Sequence, residues 1–359
     1  MDIGIDPHKL SHTASAVDSA TNTSVASLRV DASLAGYREL MRWAGQFEDR
    51  RWAIENARGL GRHLAQWLLA RDETVVDVPC TATARVRELS RGGRRKNDVI
   101  DASAAACVAA AQGDASPVLA DDHTVICAML EERRSNVSGQ RVRVANQLHA
   151  VLPELVAGGA PRQISAGSAS ALLRSVRPAN AVEQCRKQLA RHLVKDLKAL
   201  DSSLVDIEKR MAEAVTEIGS RLCEIDGVAA VTAARLIGRT GPASRFRNEH
   251  AFAAYVGTAP IEIASGDQSH HRLSRSGDRR LNSTIHMIAV TQIRMRNSIG
   301  RAYYDKKIAE GKTHNRAMRC LKRRLANHIW RIMITDERSQ RVSTTESPWV
   351  LRWLVSFER

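Results

Sequence analysis

The order of strands and helices in the first 111 residues constrains the fold more than any other feature of the sequence. Three stretches of alternating apolar and polar residues, 1–5, 13–17 and 24–30, predict three strands joined by short turns. Segments with helical spacing then alternate with short apolar runs, which predict helices and strands respectively. The predicted elements are helix 34–47, strand 52–54, helix 61–70, strand 74–78, and helices 81–89 and 98–111. An antiparallel meander followed by this alternation predicts an α/β domain.

Four carboxylates fall at the ends of these elements. Asp6 ends the first strand, Glu55 ends the fourth, and the pair Asp98 and Asp101 begins the last helix. The element order is that of an RNase H-like fold, in which strands one and four are neighbours and a later helix packs across their ends. Because residues three apart share a helix face, the sequence predicts that the four acids converge. A turn residue before Pro7 and a helix cap are the alternatives for Asp6 and Asp98 taken singly.

Such a cluster has an electrostatic requirement. Carboxylates that crowd together repel one another unless cations neutralise them. Two Mg²⁺ ions roughly 3.5–4 Å apart, with Mn²⁺ as a substitute, would do so and would activate one oxygen and stabilise another during phosphoryl transfer. We therefore expect a two-metal site formed by Asp6, Glu55, Asp98 and Asp101.

The middle of the chain carries a heptad pattern. From Leu193 to Ile218 the apolar residues alternate steps of four and three without a break, and residues 130–155 keep an interrupted heptad. Residues 157–180 between them are rich in Gly, Ala, Ser and Pro, which predicts a loop or a poorly ordered tip. Two long helices joined by such a tip predict a coiled-coil stalk, and a plain helical bundle is an equal alternative.

A third unit is predicted to start near Cys223. Helical patterns over 231–237 and 249–255, separated by glycine-bearing turns, resemble a helix-hairpin-helix, whose backbone amides can hold a DNA phosphate. An ordinary helical hairpin remains the alternative. We therefore predict three domains: an RNase H-like α/β domain over 1–120, a helical stalk over 121–220 and a mainly α domain over 221–359.

The chain is strongly basic. Lys and Arg number 54 against 39 Asp and Glu, which gives a net charge of +15. This balance indicates a polyanionic partner, because basic side chains that neutralise phosphates release condensed counterions. No apolar run approaches the roughly 18 residues that a membrane span needs and no signal peptide is evident, so we expect a cytoplasmic protein without a membrane partner. The six cysteines lack zinc-site spacing and are expected to be free thiols.

Basic segments occur where a nucleic-acid backbone would be held. Arginine suits this task because its fork makes paired contacts with phosphate, although a solvated surface is the plain alternative. The first segment runs into Asp98 and contains Arg91, Arg94, Arg95 and Lys96. The second contains Arg272, Arg275, Arg279 and Arg280. The third lies on a helical pattern over 313–331 and contains Arg319 and Arg323.

A candidate nucleophile precedes the second basic segment. Ser265-Gly266 is a turn-type pair that would leave the hydroxyl exposed. Beside basic residues, a serine hydroxyl could attack a phosphodiester and hold DNA as a phosphoserine. We favour Ser265 because of its glycine neighbour, while Ser269, Ser274 and Ser276 stay open as alternatives.

These motifs together resemble a known family. Gly4-Ile5-Asp6-Pro7-His8-Lys9, Ile54-Glu55 and residues 96–102 are similar to the DEDD signature of an insertion-sequence transposase family related to the Piv DNA invertase. Residues 255–260, Ser265-Gly266 and residues 273–281 resemble its second conserved block. The resemblance covers nearly the whole chain in the expected order. It departs from the family pattern after Glu55, where Asn56-Ala57-Arg58-Gly59 replaces the commoner small residue and glycine.

The resemblance implies a RuvC-like domain, a coiled-coil stalk and a C-terminal transposase domain. It implies that the four acids bind Mg²⁺ and that Ser265 forms a covalent 5′-phosphoserine bond to DNA, as in serine-using recombinases. It also implies guidance by a noncoding bridge RNA that pairs with donor and target DNA. Assembly into dimers and synaptic tetramers, associated with the nucleoid when active, is implied as well.

We therefore predict a DNA transposase or recombinase that cleaves and exchanges strands for insertion-sequence mobility. The first alternative is a RuvC-like, metal-dependent DNA junction endonuclease without a covalent intermediate. The second is a nucleic-acid-binding protein that keeps the fold as a scaffold without catalysis. Replacing Ser265 distinguishes the first two, and replacing Asp6 and Asp101 tests the third.

Overall fold

A computed structural model describes the backbone of residues 1–89, 97–111, 115–265, 268–273 and 277–344. Within these ranges, the side chains of residues 89, 260–273 and 341–344 are not described. The chain divides into two compact units, the first over Met1–Asp121 and the second beginning at Asp122.

The first unit is built on a mixed sheet. Its strands are β1 (Asp2–Pro7), β2 (Ser11–Asp18), β3 (Thr23–Asp31), β4 (Arg51–Glu55), β5 (Val75–Val78) and β6 (Ser116–Pro117). Their order is β3-β2-β1-β4-β5-β6. The pairs β1–β2, β2–β3 and β5–β6 are antiparallel, whereas β1–β4 and β4–β5 are parallel. The predicted α/β fold with β1 beside β4 is confirmed, and only the two-residue β6 was not predicted.

Four helices cover the two faces of this sheet. They are α1 (Leu34–Ala44), α2 (Arg62–Leu69), α3 (Cys80–Leu89) and α4 (Asp98–Ala111). Side chains alternate between the faces along a strand. Ile3, Ile5 and Ile54 therefore join the core with α1 and α2, while Ala53 belongs to the core that α4 covers. This alternation places Asp6 and Glu55 on the α4 face.

Gly4 sets the distance between β1 and α4. A Cβ atom at this position would lie 1.8 Å from the carbonyl oxygen of Ala102, which no side chain could tolerate. Glycine therefore allows the two backbones to approach closely. A second link holds α4 to β2, because the hydroxyls of Ser15 and Ser103 are 2.8 Å apart. These contacts fix the start of α4 beside the end of β1.

The second unit is mainly helical. Its elements are α5 (His123–Val151), α6 (Ala166–Ser175), α7 (Ala181–Ile218), α8 (Ala230–Thr240), α9 (Glu249–Tyr255), the hairpin β7 (Pro260–Ser265) and β8 (Gln268–Leu273), α10 (Arg279–Arg294), α11 (Ile299–Ala309) and α12 (His314–Thr344). Short 3-10 helices cover Leu152–Glu154, Arg221–Glu224 and Ala243–Arg245. The predicted α/β region followed by a mostly helical region is thus confirmed.

The heptad pattern of α7 is buried. Asn180 caps the helix by accepting from the backbone amide of Glu183 at 2.9 Å, and Gly219 ends it in the left-handed region at φ 65°. The seam packs against α5 and contributes to two cores, one around Leu197 and the other around Met211. A projecting coiled-coil stalk and the three-domain division remain predictions.

The predicted loop over 157–180 is wrong for its central part. Residues 166–175 form α6, in which Ser165 and Ser168 make a reciprocal capping box. Ala169 and Leu173 of α6 are buried in the core around Leu197. The flanking glycines and prolines masked a helix that tertiary burial stabilises.

In the part of the chain that the structure describes, no helix is long and apolar enough to cross a membrane.

Candidate active site

Asp6 and Glu55 lie at the same edge of the sheet. Ile5 pairs with Ile54 in the parallel register of β1 and β4, so the next residue on each strand is an acid that faces α4. Parallel neighbouring strands bring these two carboxylates together, as the sequence predicted. Burial differs between them, because Asp6 is buried and Glu55 is half-buried.

The start of α4 brings the second pair of acids to this edge. The side chain of Asn97 accepts from the backbone amide of Val99 at 2.7 Å, and the amide of Asp101 donates to the Asn97 carbonyl at 3.0 Å. Asn97 therefore satisfies the end of the helix, and the carboxylate of Asp98 is left to interact elsewhere. In the structure Asn97, and not Asp98, provides the side chain that caps α4.

The carboxyl group of Asp6 is electrostatically strained. Only 8 % of the residue is exposed, and burial is the main cause that raises its pKa from 3.8 to about 6. His8 opposes this shift, whereas the negative charges of Glu55, Asp101 and Asp98 add to it. The other three predicted acids thus all act on the carboxyl group of Asp6. A cation bound among these carboxylates would relieve the repulsion.

His8 lies between two of the acids. Its Nε2 atom is 3.3 Å from Oδ2 of Asp6 and 3.3 Å from Oδ1 of Asp98. One ligand atom from each of these residues lies within 4.8 Å of the other two. Two carboxylates and one imidazole at this spacing fit a divalent cation. The sequence analysis assigned no role to His8, although it stands two residues after Asp6 in the same motif.

Asp101 has a different environment. It is buried, and Arg87 of α3 donates to its Oδ1 at 2.5 Å. The two carboxylates on this helix face therefore have different partners. Asp98 contacts His8, whereas Asp101 forms an ion pair with Arg87. Binding of a cation by Asp101 would require Arg87 to move or to share the carboxylate.

Glu55 is positioned by the turn that follows β4. Asn56 adopts a left-handed conformation at φ 50°, which asparagine tolerates better than most residues, and its amide donates to the carbonyl of Val78. The side chain of Asp77 accepts from the amide of Ala57 at 2.8 Å. The unusual segment after Glu55 is therefore an ordered turn. Partial burial and a hydrogen bond to Glu55 raise the pKa of the Cys80 thiol to about 11.

A basic side chain, that of Arg29, lies on the same face of the sheet as Asp6, two strands away. Asp6 pairs with Thr13, and Thr13 pairs with Arg29, so the three residues form a row on one face of the sheet. Arg29 places Nη1 3.9 Å from Oδ2 of Asp98 and remains largely exposed. The buried hydroxyl of Thr13 has no hydrogen-bond partner among the described residues. No sequence pattern predicted the position of Arg29, because the β2–β3 register determines it.

The predicted nucleophile lies in the second unit. Ser265 is the last residue of β7, where its backbone pairs with Gln268, and its side chain lies outside the described residues. The same holds for the side chain of Arg272 on β8, and Arg275 lies outside the described residues altogether. The basic residues before Asp98 also lie outside them: Arg91, Arg94, Arg95 and Lys96.

The remaining predicted basic residues lie on helices of the second unit. Arg279 and Arg280 are exposed at the start of α10, where Asp278 caps the helix and bonds to Arg239. Burial works against ionisation of Asp278, but the hydrogen bond from Arg239 keeps its pKa below the usual value. Arg319 and Arg323 are four residues apart on α12 and line the same cavity.

Comparisons with known proteins point to one class of protein. Residues 3–157 match a family model described as Transposase, the DEDD domain of the IS110 type. Residues 219–305 match the model of the Transposase IS116/IS110/IS902 family. The first match contains Asp6, Glu55, Asp98 and Asp101, and the second contains Ser265.

Several relatives carry related names. An uncharacterized 44.8 kDa protein of insertion element IS116 from Streptomyces clavuligerus is 28 % identical over 94 % of this chain and 95 % of its own length. An uncharacterized 42 kDa protein of insertion element IS900 from Mycobacterium paratuberculosis is 27 % identical over 82 % of this chain and 85 % of its own length. A 43.6 kDa protein of insertion element IS110 from Streptomyces coelicolor is 33 % identical, but over only 27 % of this chain and 24 % of its own length.

Proposed function

We propose that this chain, which belongs to the IS116/IS110/IS902 family of transposases, cleaves DNA at the carboxylate cluster of its first unit and rejoins the strands through Ser265. The observation that carries the proposal is the convergence of Asp6, His8 and Asp98, whose ligand atoms lie within 4.8 Å of one another. Glu55 ends the neighbouring parallel strand beside them. This arrangement supports a role in phosphoryl transfer on DNA.

The cluster has the chemistry to hold divalent cations. We assign Asp6, Glu55 and Asp98 as ligands, with Asp101 joining once Arg87 releases it. When bound, Mg²⁺ would supply Lewis acidity at the scissile phosphate. His8 is within reach of both Asp6 and Asp98. Its imidazole would therefore either bind the cation as a further ligand or move away when the cation binds. Arg29 is exposed beside Asp98 and suits a contact with a neighbouring DNA phosphate.

Ser265 is proposed as the nucleophile of the covalent step. Its Oγ atom would lose a proton and attack the phosphorus, which forms an Oγ–P bond and breaks the bond to the 3′ oxygen. The 3′ oxygen would leave as a hydroxyl after taking up a proton, and the 5′ end would stay on the protein. Rejoining is the reverse step with a different 3′ hydroxyl. The support is the position of Ser265 at the end of β7, before the basic residues that begin α10.

Guidance by a noncoding bridge RNA and assembly into dimers and tetramers complete the proposal. The net charge of +15 supports a chain that binds nucleic acid. The RNA would pair with donor and target DNA, which would leave the protein to hold backbones and to carry out the chemistry.

A test of the covalent step uses DNA labelled on the 3′ side of the cleavage position, in the fragment whose 5′ end would stay on the protein. The protein, purified with its co-expressed flanking element, is incubated with this DNA and Mg²⁺, denatured and digested with protease. We expect a labelled adduct on the peptide that contains Ser265. Ser265→Ala should abolish the adduct, while Ser269→Ala, a matched change on β8, should keep it. An adduct that survives Ser265→Ala and maps to another serine would contradict the assignment.

RNA guidance is tested by sequencing the RNA that copurifies with the protein. The proposal predicts one discrete RNA with segments that match the element ends and an insertion site. Heterogeneous RNA, or none, would rule out guidance for this protein.

A junction endonuclease is the second candidate, because the cluster lies wholly within the first unit and needs no serine for hydrolysis by water. Under this alternative, Ser265→Ala would lose recombination and keep metal-dependent cutting.

A further inference from the structure

A large cavity lies within the second unit. It has a volume of about 830 Å³ and is enclosed by α10, α11, α12 and the segment that follows the 3-10 helix Arg221–Glu224. This volume falls in the upper range of small-molecule and cofactor sites, which span roughly 300–1,000 Å³. None of the predicted catalytic residues lines it, so the cavity has no part in the chemistry proposed above.

The walls combine apolar surface with an aromatic ring. Leu321 and Leu325 project from α12 into the lining, and Tyr303 faces them from α11. Ile299 also lines the cavity and is 79 % exposed, which places it at the opening. A flat, weakly polar group would bury its faces against these side chains.

Four arginines of α12 and two carboxylates line the cavity: Arg319, Arg323, Arg324, Arg331, Glu224 and Asp226. Arg331 pairs with Glu249 and Arg323 contacts His250, so the argument concerns the other two arginines. Arg324 holds its guanidinium 4.8 Å from the centre of the Tyr303 ring, and Arg319 lies five residues earlier on α12. Over the described ranges of the chain, neither arginine forms an ion pair with a carboxylate. The four arginines outnumber the two carboxylates of the lining. Two arginines that form no ion pair beside an aromatic wall favour an anionic ligand with a planar group.

We propose that this cavity holds one unpaired nucleotide of the nucleic acid on which the protein acts. The base would lie against Tyr303, Leu321 and Leu325, and its phosphate would bind Arg319 and Arg324. A base within a duplex is stacked and paired, so only a base from a single-stranded segment, a bulge or a flipped position could enter. The inference rests on the proposed function for the presence of nucleic acid, and it adds a binding site for single strands.

The test measures binding by fluorescence anisotropy with the full chain, in EDTA so that no strand is cleaved. The probes are a short labelled single-stranded DNA, an RNA of the same sequence, and the DNA duplex. We expect Arg319→Ala to weaken single-strand binding about tenfold, the loss of one stacked and anchored base. Arg316→Ala removes an equal charge from an exposed position of the same helix outside the cavity, and it should have a much smaller effect.

Three further variants distinguish binding in the cavity from a general effect of charge. Ile299→Trp adds bulk at the exposed opening and should weaken single-strand binding while leaving duplex binding unchanged; Ile299→Ala should leave both intact. Tyr303→Leu keeps an apolar wall and removes the ring, and should lower affinity about tenfold. Ultraviolet crosslinking of a 5-iodouracil strand should label the peptide that contains Tyr303. Preference for the RNA or the DNA strand identifies which nucleic acid supplies the base.

The inference is overturned if Arg316→Ala and Arg319→Ala weaken binding equally, or if Ile299→Trp leaves single-strand binding unchanged. Equal affinity for duplex and single strand would overturn it as well. Because binding is measured without cleavage, failure of the acidic cluster to cut DNA would leave these results standing and would count against the proposed function alone.

Discussion

Replacing Asp6 by asparagine should make the metal-free protein more stable while removing its activity. The pKa of Asp6 is raised from 3.8 to about 6, chiefly by burial. A carboxyl group whose folded pKa lies above its unfolded pKa destabilises the fold once it is ionised. The cost is absent below about pH 4, grows between pH 4 and 6, and is complete above pH 6, as the two pKa values of Asp6 require.

The magnitude follows from the shift. A difference of about 2 pKa units at roughly 1.4 kcal/mol each gives about 3 kcal/mol for the ionised group. Because the asparagine amide must also be buried, we expect Asp6→Asn to raise the free energy of unfolding by about 2 kcal/mol at pH 8. At pH 4 most of the ionisation cost is absent while the amide is still buried, so Asp6→Asn should be no more stable than the wild type there.

Urea unfolding in EDTA, followed by tryptophan fluorescence at pH 4 and pH 8, measures this difference. Asp2→Asn is the matched control, because Asp2 is a buried carboxylate on the same strand that accepts from Arg51 at 2.8 Å. Its loss should destabilise the protein at pH 8. Mg²⁺ at about 100 times its dissociation constant should stabilise the wild type by about 2.7 kcal/mol and Asp6→Asn far less. The reasoning fails if the Asp6→Asn difference does not depend on pH, or if Mg²⁺ stabilises both proteins equally.

Three further perturbations test the construction of the site. Gly4→Ala forces a methyl group against a carbonyl of α4 and should cost about 3 kcal/mol of stability, measured by thermal unfolding; an unchanged midpoint would contradict the close approach. Glu55→Gln should lower the pKa of the Cys80 thiol from about 11 and speed its alkylation at pH 8, measured by peptide mass spectrometry. An unaltered rate would show that Glu55 does not affect Cys80. Arg87→Ala removes the guanidinium that forms an ion pair with Asp101, which frees this carboxylate. Mn²⁺ should then bind more tightly in calorimetry. Weaker binding would show that Arg87 helps to hold Asp101 in position for the metal.

The part of the site that follows strand periodicity could be predicted from the sequence. Asp6 and Glu55 each end an apolar strand, and the element order makes those strands parallel neighbours, so their meeting depends only on local pattern and topology. The place of α4 was also predictable, although the physical reason for it, the missing Cβ of Gly4, becomes visible only when the helix is in position.

Contacts made across the fold could not be predicted. Arg29 comes to Asp98 because the β2–β3 register puts it opposite Thr13, and a one-residue slip would place it on the other face. The approach of His8 to both acids depends on the path of the chain after Pro7. In the same way, α6 was missed because its helix is stabilised by burial of Leu173 against α7 and not by its own composition.

The most direct test of the central claim is strand cleavage on DNA that carries the element ends, with the copurified RNA and with Mg²⁺ present or withheld. The account predicts cleavage that needs the metal, is lost in Asp98→Asn, and persists in Arg316→Ala, whose substituted residue lies on α12 in the second unit. Metal-dependent cleavage that persists at the wild-type rate in Asp98→Asn would contradict the assignment of the acidic cluster as the catalytic site.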